Sequence, residues 1–219
     1  MTEIDAKLIK IWPTIILRKN FSDHHAVKPG LIDFIDGYMK ANPEGRKANE
    51  NRQLYESAYD ILQTHSARNR EVRALADFIG QSFAEVAAAA NEAAWKGDGV
   101  DRDRLAVKIT ASWFINYLTG GNVEPHLHSN CSWSCVYYLQ LGAVRHPMDG
   151  ATFFICPNNK SDSNDYGACY AREASRFFTA KEGYALFFPS HLVHGSFPYS
   201  GDQPRLIFSA NARVEERVP

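Results

Sequence analysis

An antiparallel β-sandwich or β-barrel with helices packed outside it, mainly β with flanking helices, is the fold class this sequence predicts. Two observations carry the expectation. The one strong helical signal lies within the first hundred residues, and short strand-like runs separated by Gly, Pro and Asn fill the remainder. A third bears on organisation. No repeat and no linker interrupts the 219 residues. The expectation is therefore one domain over 1–219, with an N-terminal strand and supporting helices in 1–100 and the β core in 105–213.

Taken in order, residues 7–18 are rich in β-branched side chains and read as an opening strand broken at Pro13. Leu31, Phe34, Ile35 and Tyr38 share one face of a short helix over 31–40. Residues 41–54 are polar, contain Pro43 and Gly45, and read as a surface loop, while 55–65 fit no pattern well. From Ser66 to Ala94 apolar residues recur at steps of three and four: Val72, Leu75, Ala76, Ile79, Phe83, Val86, Ala87 and Ala90. Ser66 is a fitting N-cap and Gly97-Asp98-Gly99 a fitting end. So broad a stripe of Ala and bulky residues belongs on a sheet. Residues 105–118 then alternate, with Val107, Ile109, Ala111, Trp113 and Ile115 on one side and Thr110, Ser112 and Asn116 on the other. Further strands are expected at 123–128, 133–141, 151–156, 176–180, 184–188 and 204–213. The polar stretch 157–175 is a long loop of the kind that serves as a lid.

Composition excludes several function classes. Lys plus Arg is 24 and Asp plus Glu is 25, a formal charge of -1, so the chain has no electrostatic attraction to nucleic acid or anionic lipid. No apolar stretch reaches bilayer length, and Lys10 and Pro13 break the N-terminal apolar segment, a poor signal peptide. Cys131, Cys135, Cys156 and Cys169 read as reduced thiols of a cytoplasmic protein. The sequence fixes no oligomeric state; a homodimer is among those it allows.

Of the eight histidines, His24, His25, His65 and His146 read as surface or hydrogen-bonded residues. The other four fall in Pro125-His126-Leu127-His128 and Pro189-Ser190-His191-Leu192-Val193-His194. His126 and His128 stand two apart on an expected strand, which puts both imidazoles on one face. Two imidazoles so placed can share a divalent ion, and a third ligand from a distant strand would complete a facial set with open positions. The bland alternative is a hydrogen-bonded pair on a sheet surface. Eleven residues after His194, Arg205 heads the apolar run Leu206-Ile207-Phe208. A charge opening a core strand needs a match. A bound carboxylate would supply one, and the alternative is a strand-end Arg with its head in water.

Taken together, His126-x-His128, Cys135-Val136-Tyr137-Tyr138-Leu139, Asp149-Gly150-Ala151-Thr152-Phe153, Leu186-Phe187-Phe188-Pro189-Ser190, His194-Gly195, and Arg205 with Asn211 downstream resemble the iron(II)- and 2-oxoglutarate-dependent oxygenases. The resemblance is to the prolyl-hydroxylase-like branch, in a group with an H-x-H metal string. It covers residues 105–213, and more weakly the region around Trp12-Pro13 and the long helix. It implies a double-stranded β-helix, a jelly roll of eight core strands, with N-terminal helices packed on one sheet. It implies iron held by His126, His128 and His194, with Arg205 clamping the far carboxylate of 2-oxoglutarate. Tyr138 resembles a hydrogen-bonding partner of that carboxylate and Asn116 a further cosubstrate contact. His191 fits better as a rim residue. The implied reaction consumes O₂, releases succinate and CO₂, and oxidises an unactivated C–H bond of a small or amino-acid-like substrate.

One departure stands out. Most of the superfamily has Asp or Glu where this chain has His128. Either His128 ligates directly, the preferred reading, or Glu124 supplies the carboxylate, or the activity is lost. Ser134, Asn211, Tyr170 and Arg172 are candidate substrate contacts. The rival functions are a cupin-type three-His dioxygenase that does not use 2-oxoglutarate and a non-enzymatic jelly-roll binding protein.

Overall fold

The alternation of apolar and polar residues along the second half of the chain produces two antiparallel sheets with their inner faces opposed. The computed structural model describes residues 14–45, 53–143, 145–157 and 174–217. Within them the larger sheet runs, in spatial order, β1 (Leu17–Asn20), β8 (Tyr184–Pro189), β5 (Trp133–Gln140), β10 (Arg205–Glu216), β3 (Leu105–Tyr117) and β2 (Leu54–Glu56). The smaller sheet runs β4 (Val123–His126), β9 (His194–Ser196), β6 (Thr152–Ile155) and β7 (Ser175–Phe178). Three helices, α1 (His24–Ala41), α2 (Ile61–His65) and α3 (Arg70–Gly97), cover the outer face of the larger sheet. This is the expected double-stranded β-helix with helices on one sheet.

Each face of the larger sheet has its own core. Phe114, Trp133, Tyr137, Leu139, Phe187 and Phe208 face outward against Leu75, Phe78, Ile79 and Phe83 of α3 and Leu31 and Ile35 of α1. At about 1.5–3 kcal/mol for each large apolar side chain buried, the α3 stripe anchors the helices firmly. Trp113, Ile115, Tyr117, Val136, Tyr138, Phe188 and Ile207 face inward toward the smaller sheet. At the approach of α1 to α3, a Cβ on Gly30 would meet the Glu71 side chain, its Cγ at 2.7 Å.

Two irregularities decide which side chains reach the interior. In the β3–β10 ladder Asn211 pairs with Ala111 and Ala212 with Ile109, so Thr110 is an extra residue. The bulge reverses the alternation. Val107 and Ile109 pack with the helices, whereas Ala111, Trp113 and Ile115 face the interior, so the expected single face is split in two. In the β5–β10 ladder Leu206 pairs with Gln140 and Ile207 with Tyr138, leaving Leu139 as the extra residue.

Helix boundaries also differ from expectation. α1 starts at His24, not near residue 31, and carries Pro29 internally. The Pro29-Gly30 pair reads locally as a break, but packing of the buried His24 and Val27 overrides it. α3 is capped by Asn69, whose side chain accepts from Val72 N at 2.9 Å, and not by Ser66, which closes α2. It also runs three residues past the expected end at Ala94, to Gly97. The expected loop 41–54 gives way to β2 at Leu54. Most of the expected opening strand 7–18, and residues 158–173 of the expected lid, lie outside the described residues. No helix of the described residues is long and apolar enough to cross a membrane.

Candidate metal and cosubstrate site

Strand pairing brings the histidines together. β4 lies antiparallel to β9, with His126 opposite His194, and Phe154 of β6 flanks His194 on its other side. The first string was expected to be strand through residue 128, but β4 ends at His126. His128 is held instead by its own N–H, which donates to Ser190 O at 3.1 Å. The three rings still converge, with centroids 4.3 Å (His126–His194), 5.0 Å (His126–His128) and 5.1 Å (His128–His194) apart. One nitrogen from each lies within 4.8 Å of the others, the only such cluster of potential metal ligands among the described residues. Glu124 is exposed and stands outside it, so the geometry favours His128 over Glu124 as third ligand. His191 is exposed and likewise outside the cluster.

Two of the rings are oriented by backbone. His126 Nδ1 lies 2.8 Å from Glu124 O and His194 Nδ1 2.9 Å from Leu192 O. A carbonyl only accepts, so each Nδ1 carries the hydrogen and each Nε2 presents its lone pair to the cluster. Burial lowers the pKa of His128 from 6.5 to about 4 and that of His194 to about 3, with His126 adding to both effects. Both rings are therefore neutral, the form that binds metal, at neutral pH. Phe188 packs edge-on against His194 at 4.6 Å and Trp113 leans on His128 at 5.7 Å, restricting ring rotation.

The interior face of β10 carries Arg205, Ile207, Ser209 and Asn211 in alternation, a rise of about 20 Å from first to last. Asn211 lies beside His128, so Arg205 marks the opposite end of the interior. Arg205 is 1% exposed, and its Nε and Nη1 are buried without a hydrogen-bond acceptor. Its guanidinium lies over the Tyr117 ring at 4.2 Å and 5.5 Å from the centre of the Tyr138 ring. Gly150, at φ +62°, makes room for it, since a Cβ there would meet Arg205 Cδ at 3.0 Å. Tyr138, 1% exposed, shares a hydrogen bond of 2.7 Å with Thr152. Burial raises the pKa of its phenol, which stays protonated. A cavity of about 430 Å³ joins both ends, lined by the three histidines, Trp113, Tyr117, Thr152 and Arg205 among others.

Asn116 does not join this cavity. It falls on the helix-facing side of β3 beyond the Thr110 bulge, with its amide 3.7 Å from Met39 Sδ. It is too far round the sheet to touch a ligand in the interior, and the expected cosubstrate contact is corrected on that ground. Tyr117 takes a place the sequence reading missed, although it continues the Trp113–Ile115 face two residues on. Thr152 was visible within the Asp149–Phe153 string but had no role there. Ser134 and Asn211 are buried and bonded to each other at 2.9 Å. Tyr170 and Arg172 lie outside the described residues. Cys131, Cys135 and Cys156 are free thiols, and Cys135 is a buried core residue.

The residues fit the groups the resemblance implies. Three imidazoles with convergent nitrogens suit a first-row divalent ion. Buried guanidinium donors lacking an acceptor are costly until a carboxylate meets them, and a diacid reaching from the metal to Arg205 would do so.

Facing sheets, three convergent imidazoles and a buried guanidinium define a double-stranded β-helix with a candidate metal site and a buried cation at the two ends of one cavity. Residues 111–211, a little under half of the chain, match the family model described as putative 2OG-Fe(II) oxygenase. A search of curated proteins gives no match. Among solved structures, a Pseudomonas putida prolyl-4-hydroxylase is similar at 16% identity and TM-score 0.52, over 90% of this chain and 91% of that one. The viral collagen prolyl hydroxylase of Paramecium bursaria Chlorella virus-1, in its 2-oxoglutarate complex, gives 10% and 0.53, over 90% and 94%. The α-ketoglutarate-dependent epimerase SnoN from nogalamycin biosynthesis gives 14% and 0.60, over 93% and 81%. At such identities these are likenesses of fold.

Proposed function

We propose that this oxygenase hydroxylates, or otherwise oxidises at an unactivated C–H bond, a small-molecule or amino-acid-like substrate. The observation that carries the reading is the pairing of a three-imidazole cluster with a buried, acceptor-less Arg205 at the two ends of one cavity. Bound iron(II) with 2-oxoglutarate supplies the activation of O₂, with succinate and CO₂ as co-products. This chain's residues do the positioning. His126, His128 and His194 hold the ion, the first and last through Nε2. Arg205 pairs with the far carboxylate of the cosubstrate, and Tyr138 donates its phenolic hydrogen either to that carboxylate or to Thr152. Tyr117 beneath the guanidinium fixes its plane. Trp113, Ile115 and Phe188 keep water from the reacting centre.

The substrate enters at the mouth, where the exposed Leu127 and Tyr59 stand beside the cavity and the Tyr59 ring lies 4.9 Å from Trp113. Arg205 weighs against a three-His dioxygenase without 2-oxoglutarate, which has no use for a buried cation there. The reading places the enzyme in the cytoplasm, where its thiols stay reduced, acting on a small molecule and not on nucleic acid or membrane. A homodimer is compatible with it.

Succinate release from iron(II)-loaded protein, screened over a panel of amino acids and small metabolites, tests this function. A compound that stimulates succinate formation and gains oxygen or loses hydrogen supports it. A protein that binds 2-oxoglutarate yet forms no succinate above the metal-only control, with any compound or alone, refutes it.

A further inference from the structure

His126 and His194 are each oriented by a backbone carbonyl two residues upstream, but His128 has no such partner. Its Nδ1 faces the side-chain amide of Asn211, with Nδ2 3.5 Å away. The other end of that amide is held by Ser134, whose hydroxyl donates to Asn211 Oδ1 at 2.9 Å. Ser134 is 1% exposed and Asn211 9%. This arrangement has a chemical consequence. The amide can donate to Nδ1 through Nδ2 or, turned by half a turn, accept from Nδ1–H through Oδ1, so it can set either tautomer of the ring. Only the tautomer with its hydrogen on Nδ1 leaves the Nε2 lone pair free for an ion.

We propose that Asn211 is the positioning residue that sets the tautomer of His128, its Oδ1 accepting from Nδ1–H in the metal-binding form. With the amide turned, Oδ1 accepts from His128 Nδ1–H and frees the Nε2 lone pair for the ion, while Nδ2 donates to Ser134 Oγ. The Ser134 hydroxyl can donate to one orientation and accept from the other, so the buried amide is satisfied in both. The site thereby gains a third oriented imidazole where most of the superfamily has a carboxylate. The inference rests on His128 being the third metal ligand.

The test uses the full chain loaded with zinc(II), which is diamagnetic and bypasses turnover. Long-range ¹H–¹⁵N correlation of the His128 ring should show a protonated Nδ1 and a metal-bound Nε2 in the zinc form. Zinc affinity by chelator competition should fall about 10–100-fold in Asn211→Ala and Asn211→Leu, and recover in Asn211→Asp, whose carboxylate also accepts from Nδ1–H. Ser134→Ala should weaken affinity in the same direction. Zinc bound through Nδ1 of His128 in wild-type protein would overturn the proposal whether or not the variants fold. So would wild-type affinity in both Asn211→Ala and Asn211→Leu while His128→Ala loses the metal. Unchanged affinity in His128→Ala would instead overturn the three-histidine site itself.

Discussion

Replacing Arg205 by methionine should have opposite effects on the empty protein and on cosubstrate binding. The guanidinium is 1% exposed, and two of its nitrogens lack acceptors. Each unsatisfied buried donor costs about 1–3 kcal/mol. Against this stands the contact with Tyr117 at 4.2 Å and the more distant one with Tyr138, together worth about 1–3 kcal/mol. Methionine is nearly as long and packs in apolar surroundings. Exchange of a poorly matched buried charge for an apolar side chain is often neutral or stabilising by about 1–4 kcal/mol. Ligand-free Arg205→Met should therefore melt at or above the wild-type temperature. Its affinity for 2-oxoglutarate should fall by about 2–5 kcal/mol, the range for removing one partner of a buried charge pair. Calorimetric titration of 2-oxoglutarate into metal-loaded protein, with thermal melts of both forms, reads the two effects. Wild-type protein should gain thermal stability from 2-oxoglutarate and the variant should not. An unchanged dissociation constant would show that Arg205 does not bind the cosubstrate. A loss of several kcal/mol from the ligand-free variant would show that a partner inside the fold satisfies the guanidinium.

Three further outcomes are expected. His128→Ala should lose tight metal binding while Glu124→Gln keeps it, measured by metal content after dialysis; the reverse pattern would move the third ligand to Glu124. The metal-free protein should lose stability as pH falls below 6.5. His128 and His194 have folded values of about 4 and about 3, so between those values and 6.5 the unfolded chain binds more protons. The slope should reach at most about 1.4 kcal/mol per pH unit for each group, and equal denaturant midpoints at pH 7 and pH 5 would contradict it. Gly150→Ala should cost about 1–2 kcal/mol from its φ of +62° and should also weaken 2-oxoglutarate binding, because the new methyl displaces Arg205 Cδ. A variant with lower stability and wild-type affinity would separate Gly150 from the clamp.

Much of this site could be read from local sequence. His126 and His128 stand out because a spacing of two puts them on one face, and Arg205 because a charge heads an apolar run, whereas His194 and Tyr138 were marked by the family resemblance. Asn116 shows the limit of such reading. One extra residue at Thr110 shifts every later side chain of β3 to the other face, and nothing in the residues around 110 marks the bulge. Tyr117 was missed because the cation above it arrives from β10, nearly ninety positions later in the chain. β9, three residues long, is too short for alternation to show and exists because β4 and β6 pair with it on either side. The N-terminal boundaries failed for a different reason. Pro29-Gly30 and Ser66 carry strong local signals, yet the buried faces of α1 and α3 set where those helices begin.

The most direct measurement is the visible spectrum of the protein mixed anaerobically with iron(II) and 2-oxoglutarate. A metal-to-ligand charge-transfer band that needs both additions, and that is absent in His128→Ala, is the predicted result, because only iron held by the cluster and chelated by the keto acid gives it. A colourless mixture with both compounds saturating, or a band that survives removal of the His128 ring, would contradict the three-histidine oxygenase site.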